Sequence, residues 1–92
     1  MTESSLRKPV PVIMYGTGWC AFCMMARRLL RGKGVEIQEI RIDDDPAQRR
    51  VMEERSGRHT VPQVFAGEDH LGGYTDLVEL EQRGELDERL GL

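Results

Sequence analysis

The chain has only two cysteines, no long apolar run and no strong excess of one charge, and each shortage closes off a class of protein. Two cysteines cannot build the several-bridge framework by which small secreted domains offset a thin core. In a reducing compartment such a pair serves metal binding or transient redox chemistry. The apolar segment VPVIMY, Val10 to Tyr15, is far too short for a signal-peptide hydrophobic region or a membrane span, although a Lys/Arg pair precedes it. A cytoplasmic protein without membrane association is therefore expected. A formal charge of −3, from 13 basic and 16 acidic residues, provides no broad attraction to nucleic acid or anionic lipid. No repeat or low-complexity segment is present, and 92 residues leave room for one modest core, so residues 1–92 are expected to form a single domain.

What is present follows an alternating order. VPVIMY reads as a first core strand, with proline tolerated near its start. GTGW breaks it, and from Phe22 the apolar residues Phe22, Met25, Ala26, Leu29 and Leu30 recur on one helix face, with Arg27, Arg28 and Arg31 on the wet face. The glycines of RGKG stop that helix. VEIQEIRI, Val35 to Ile42, reads as a second strand whose alternation slips once between Ile37 and Ile40. Asp45 as N-cap and Pro46 at the first helical position open a second helix that ends at Gly57. A strand over Gln63 to Ala66, a turn in GED and a brief strand ending at Gly72 and Gly73 form a hairpin. Thr75 or Asp76 caps a third helix that turns Leu77 and Leu80 inward and stops at Gly84, and ELDERLGL adds a short terminal helix. The order β-α-β-α-β-β-α predicts an α/β fold. A parallel βαβ unit plus an antiparallel hairpin gives a mixed four-stranded sheet flanked by helices.

The two cysteines, in GTGWCAFC, stand three residues apart where the first strand feeds the first helix. At that spacing on a first helical turn two sulfurs can bond and separate without large rearrangement. Cys20 lies at the cap, where free amides and the positive end of the helix dipole favour a thiolate, and Cys23 lies inside the turn. Cys20 is thus expected to attack and Cys23 to resolve. Zinc would need two more ligands, and only His59 and His70 exist, far along the chain and without zinc-knuckle spacing. Two inert core cysteines would suit Cys23 but not Cys20, which sits on an exposed loop-to-helix turn beside Trp19. Redox chemistry is the favoured reading.

YGTGWCAFC, then TVPQVF at Thr60 to Phe65, then HLGGYTDL at His70 to Leu77, resemble in order and spacing the three signatures of dithiol glutaredoxins, here with the active site C-A-F-C. The resemblance runs from about Val10 to Leu86. It implies a thioredoxin-like fold and glutathione-dependent reduction of protein disulfides and protein–glutathione mixed disulfides. It implies no tightly bound cofactor, with glutathione as co-substrate and disulfide-bearing or glutathionylated proteins as partners of a monomer. Cys20 and Cys23 would be catalytic. Pro62 would be cis, and the Val61 backbone would pair with the glutathione peptide as an added strand, beside Thr60. Gly72 and Gly73 would let the chain pass close to the ligand, and the helix start at Tyr74, Thr75 and Asp76 would hold its γ-glutamyl end. Phe22 would supply an aromatic wall in place of the family's usual tyrosine, and Arg58 would face the glycine carboxylate, whereas His59 reads as a solvated loop residue.

Two positions depart from the family. Thr17 stands in the glutathione site where many members carry lysine, which leaves the helix end and Arg58 to favour the Cys20 thiolate, and Ala21 replaces a proline, which alters the reduction potential. Trp19 followed by a small residue after the cysteine is similar to members that hold a [2Fe–2S] cluster between two subunits through one cysteine each, Cys20 here, and two glutathiones. That is an alternative function as a cluster-bridged homodimer; Trp19 as one wall of the groove is the plainer reading. A thioredoxin proper also carries W-C-x-x-C. It lacks the G-G-Y-T-D block and needs an N-terminal strand and helix for which the nine residues before Val10 leave no space.

Overall fold

The computed structural model describes residues 10–92. The N-terminal Lys/Arg pair and the stretch judged too short for a further strand and helix lie outside the described residues. A four-stranded sheet runs in the order β2-β1-β3-β4, with β1 over Val12–Gly16, β2 over Ile37–Arg41, β3 over Gln63–Ala66 and β4 over Asp69–Gly72. β1 is parallel to β2 and antiparallel to β3, and β3 is antiparallel to β4, so the sheet is mixed as expected. Helices α1 (Ala21–Gly32), α2 (Pro46–Ser56), α3 (Tyr74–Gln82) and α4 (Leu86–Arg89) complete the order. Among the described residues no helix is long and apolar enough to cross a membrane.

The sheet divides the core unevenly. Val12, Met14, Val64 and Leu71 meet Cys23, Ala26 and Leu30 of α1, Leu77 and Leu80 of α3 and Leu86 of α4 on one face, while Tyr15, Ile42 and Phe65 meet Met52 of α2 on the other. Each fully buried leucine contributes about 2 kcal/mol relative to exposure, so the larger face dominates stability. Burial on two faces also explains the slip in VEIQEIRI, because Ile37 packs on the first cluster and Ile40 and Ile42 on the second.

The caps of α2 follow the local backbone signals. Asp45 Oδ1 accepts the amides of Ala47 and Gln48 ahead of Pro46, and Gly57 ends α2 in the left-handed region at φ 72°. Several bounds differ from the sequence reading. β1 begins at Val12 rather than Val10 and continues through Gly16, since Pro11 precedes the ladder, and β2 covers only Ile37–Arg41. The hairpin turn is Gly67 and Glu68 alone, with Asp69 already in β4.

Two differences matter for the site. The inward stripe of α1 is Cys23, Ala26 and Leu30, with Leu29 partly packed, and Phe22 and Met25 are 55% and 42% exposed instead of buried. The helix lies close to the sheet through its small residues: a Cβ on Gly16 would stand 3.0 Å from Cys23 Sγ. That contact turns the larger neighbours outward. The N-cap of α3 is Gly73, and neither Thr75 nor Asp76 takes that place, because the chain turns into the helix directly after Gly72 at φ 102°.

Candidate active site

The carboxyl end of β1 delivers the chain into the loop Thr17–Trp19 and then into α1. Cys20 is the N-cap, in extended conformation, and its Sγ accepts the Cys23 amide at 3.1 Å. Both cysteines are free; Cys20 is half-buried and Cys23 wholly buried. Burial first, and then the hydrogen bond with Cys20, push the Cys23 thiol up to about 12, against a lowering by the Thr17 backbone. The pair is therefore asymmetric, with a reachable sulfur facing an amide donor and a protonated sulfur beneath it. The loop is clipped to the end of β2: the Gly18 amide donates to Asp43 Oδ2 at 3.1 Å, and Arg41 Nη2 donates to the same oxygen at 2.7 Å. The Arg41 guanidinium beside it holds the Asp43 carboxyl well below the usual carboxylate range. A Cβ on Gly18 would meet the Arg41 guanidinium, which would have to shift from its place beside Asp43.

A groove of about 280 Å³ lies between the loop before β3 and the start of α3, with Phe22 of the first turn of α1 in its wall. The Val61–Pro62 peptide is cis. Phe22, Arg58, Thr60, Val61, Pro62, Gly73, Tyr74, Thr75 and Asp76 line the groove, so the residues expected there from the sequence are brought together except Thr17 and Gly72. Thr17 instead turns its hydroxyl to the Trp19 carbonyl oxygen at 3.4 Å. Phe22 and Tyr74 stack across the groove with centroids 6.1 Å apart, which accounts for the outward turn of Phe22. His59 stays out, exposed beside Glu53, and Trp19 is 92% exposed.

The far end of the groove is electrostatically closed. Asp76 Oδ2 accepts the Gly73 amide at 2.8 Å and Arg58 Nη1 at 2.6 Å. Arg58 foremost, with the Gly73 amide assisting against burial, lowers the Asp76 pKa. Arg58 thus has Asp76 as its bonded partner. A Cβ on Gly72 would overlap the Asp76 carboxylate, and one on Gly73 would reach within 3.2 Å of the Pro62 carbonyl oxygen. The first-turn amides of Tyr74, Thr75 and Asp76 have no acceptor within the helix.

One groove residue escaped the sequence reading. Gln63 is 1% exposed and bonded to Thr60 and His70. A lone amide in the apolar strand QVFA was the available signal, because a buried carboxamide needs partners.

The glutaredoxin family model matches residues 12–71. The glutaredoxin of Pseudomonas aeruginosa is 47% identical over 77 residues, covering 84% of this chain and 92% of that one. The solution structure of the Brucella melitensis glutaredoxin superposes with a TM-score of 0.81 at 45% identity, covering 92% of both chains. The crystal structure of the buckwheat glutaredoxin–glutathione complex superposes with a TM-score of 0.82 at 27% identity, covering 89% of this chain and 77% of that one. With a dithiol at a helix start, a groove on a cis-proline loop and this degree of likeness, the chain belongs to the glutaredoxin family, thiol–disulfide oxidoreductases of thioredoxin-like fold.

Proposed function

We propose that the protein reduces protein–glutathione mixed disulfides and protein disulfides at the expense of glutathione. The observation that carries this is the convergence in one groove of Phe22, from the first turn of the helix that Cys20 caps, the Thr60–Pro62 loop and the first turn of α3 with its Asp76 carboxylate. The buckwheat relative was solved with glutathione, and nearly all of the groove residues expected from the sequence converge here.

In the first step the Cys20 thiolate attacks the glutathionyl sulfur of a mixed disulfide, forming Cys20–S–SG and expelling the protein thiolate. A second glutathione thiolate then attacks the bound glutathionyl sulfur, giving oxidised glutathione and restoring Cys20. The ligand's cysteinyl backbone pairs with Val61, its γ-glutamyl carboxylate meets the open amides of α3, and its ammonium meets Asp76. Its glycine carboxylate lies towards Arg58, which then divides its charge between ligand and Asp76. Protein disulfides need Cys23 as well, whose buried thiol must give up a proton as it displaces the substrate from Cys20. We place the enzyme in the cytoplasm as a monomer. Turnover of hydroxyethyl disulfide coupled to glutathione and glutathione reductase tests the proposal; activity with thioredoxin reductase in place of glutathione would reject it.

The second reading, a [2Fe–2S] carrier, draws on the exposure of Trp19 beside Cys20. Among the described residues no three His, Cys, Asp or Glu side chains gather into a metal site. In this reading Cys20, its counterpart in a second copy and two glutathione thiolates would form the ligand set. Anaerobic assembly with iron, sulfide and glutathione decides it: a coloured dimer supports this reading, and a colourless monomer rejects it.

A further inference from the structure

Gln63 opens β3 as a wholly buried carboxamide, and its bonds follow one logic. Its Nε2 donates to the Thr60 carbonyl oxygen at 3.1 Å and to Thr60 Oγ1 at 3.3 Å, and its Oε1 lies 2.7 Å from His70 Nε2. A carbonyl oxygen only accepts, so the amide nitrogen must face Thr60. That turns Oε1 towards β4, and because Oε1 also only accepts, His70 Nε2 must carry a proton. The imidazole is itself held by stacking on Phe65, its partner in the β3–β4 register, with centroids 4.8 Å apart and planes 27° apart. Neutral and protonated imidazole can both donate from Nε2, so the bond survives titration. Burial, then the nearby Arg58, lowers the His70 pKa and so favours the neutral ring.

The chain of bonds therefore ties the edge strand β4, through β3, to the residue that precedes the cis Val61–Pro62 peptide. Nothing in it touches either sulfur. We infer that Gln63 and His70 are positioning residues: the His70–Gln63–Thr60 relay sets where the Val61 backbone stands over the groove and thereby governs capture of glutathione. This rests on the glutathione reading of the groove given above. Thr60 and Val61 are otherwise a loop outside the ladder, and a loop that must present a peptide edge to a ligand needs an anchor to keep its height.

The test compares the full chain with Gln63→Leu, His70→Phe and His70→Gln in the coupled hydroxyethyl disulfide assay. The relay predicts that Gln63→Leu and His70→Phe raise the KM for glutathione about fivefold or more, with a much smaller change in kcat, as expected for loss of a ground-state contact. His70→Gln restores an N–H donor and recovers most of the loss. His70→Phe keeps the ring stack on Phe65, so it carries the test should Gln63→Leu fail to fold. An unchanged KM in a folded His70→Phe protein, or a fall confined to kcat, overturns the inference.

A second readout does not depend on glutathione. In ¹⁵N spectra of the ligand-free protein, His70→Phe should move the Val61 amide resonance and speed exchange of the Gln63 side-chain amide protons. Unmoved resonances overturn the relay. A wild-type protein inert towards glutathione would reject the proposed function, and the spectra would still decide whether the relay holds the loop.

Discussion

Two helix N-termini meet at this groove, and they treat a negative group in opposite ways. At α1 the capping atom is a sulfur that accepts one amide, Cys23 N–H, and stays half-exposed. At α3 the cap is a glycine, and the negative group comes from Asp76 inside the first turn, folded back onto the Gly73 amide and clamped by Arg58. Both ends offer the same positive dipole. The kind of partner separates the roles. The sulfur meets only the neutral amide and thiol of Cys23, whereas a carboxylate holding an amide and a guanidinium becomes a clasp that shapes a pocket. The lesson concerns charge: reactivity belongs to the group the fold leaves without a bonded counter-ion.

The sharpest way to break that contrast is to remove the capping sulfur. Cys20→Ser should reduce turnover of both mixed disulfides and protein disulfides to background in the coupled assay, and retained activity would show that the cap atom is not the nucleophile. Cys23→Ser should next lose protein-disulfide reduction while keeping deglutathionylation. Equal loss in both assays would refute the division between reachable and buried sulfur. At the other helix, Asp76→Asn removes the clasp's charge. We expect the KM for glutathione to rise about tenfold, the equivalent of ~1.4 kcal/mol. The stability cost should be small, because the side chains of Asp76 and Arg58 remain 35% and 46% exposed and water screens the pair. It should appear as a melting-temperature drop of a few degrees, given roughly 4–8 °C per kcal/mol for a domain of this size.

The pH dependence of that drop sharpens the comparison further. Asp76 has a folded pKa below its unfolded one, so its contribution is present above the unfolded carboxylate range and is lost as pH falls through the depressed folded value. Wild type should therefore lose its advantage over Asp76→Asn on acidification, and the two melting temperatures should converge at the acid end. A constant gap would show that the carboxylate acts through shape alone. The smallest effect is expected from Thr17→Lys, which adds the family's usual cation beside the loop. Alkylation of Cys20 should quicken by roughly twofold, the scale of an exposed charge contact, and more so at low salt.

The legible parts of the fold are those written in neighbouring residues. Asp45 followed by Pro46 announces a helix start because the cap bond reaches only to Ala47 and Gln48, and Gly57 announces its end because few other residues accept a positive φ. The dithiol at the start of α1 was equally plain. The outward turn of Phe22 and Met25 was not, because periodicity reports that a helix has an apolar side and cannot say which small residues the sheet will press against. Gly73 escaped as a cap for a related reason, since it contributes backbone only and the residue that satisfies it is Asp76. The cis bond at Pro62 was reached through resemblance, as no local signal separates it from a trans strand-start proline.

The order of strands and helices and the seat of Cys20 at a helix start were settled by the amino-acid sequence alone, because hydrophobic period, glycine stops and caps act within a few residues of one another. The tertiary structure alone decided that Cys23 is sealed and protonated, that Arg58 serves Asp76 18 positions away, and that Gln63 hangs between Thr60 and His70. Burial and hydrogen-bond partnership depend on which segments the sheet brings side by side, and sequence separation carries no measure of that distance.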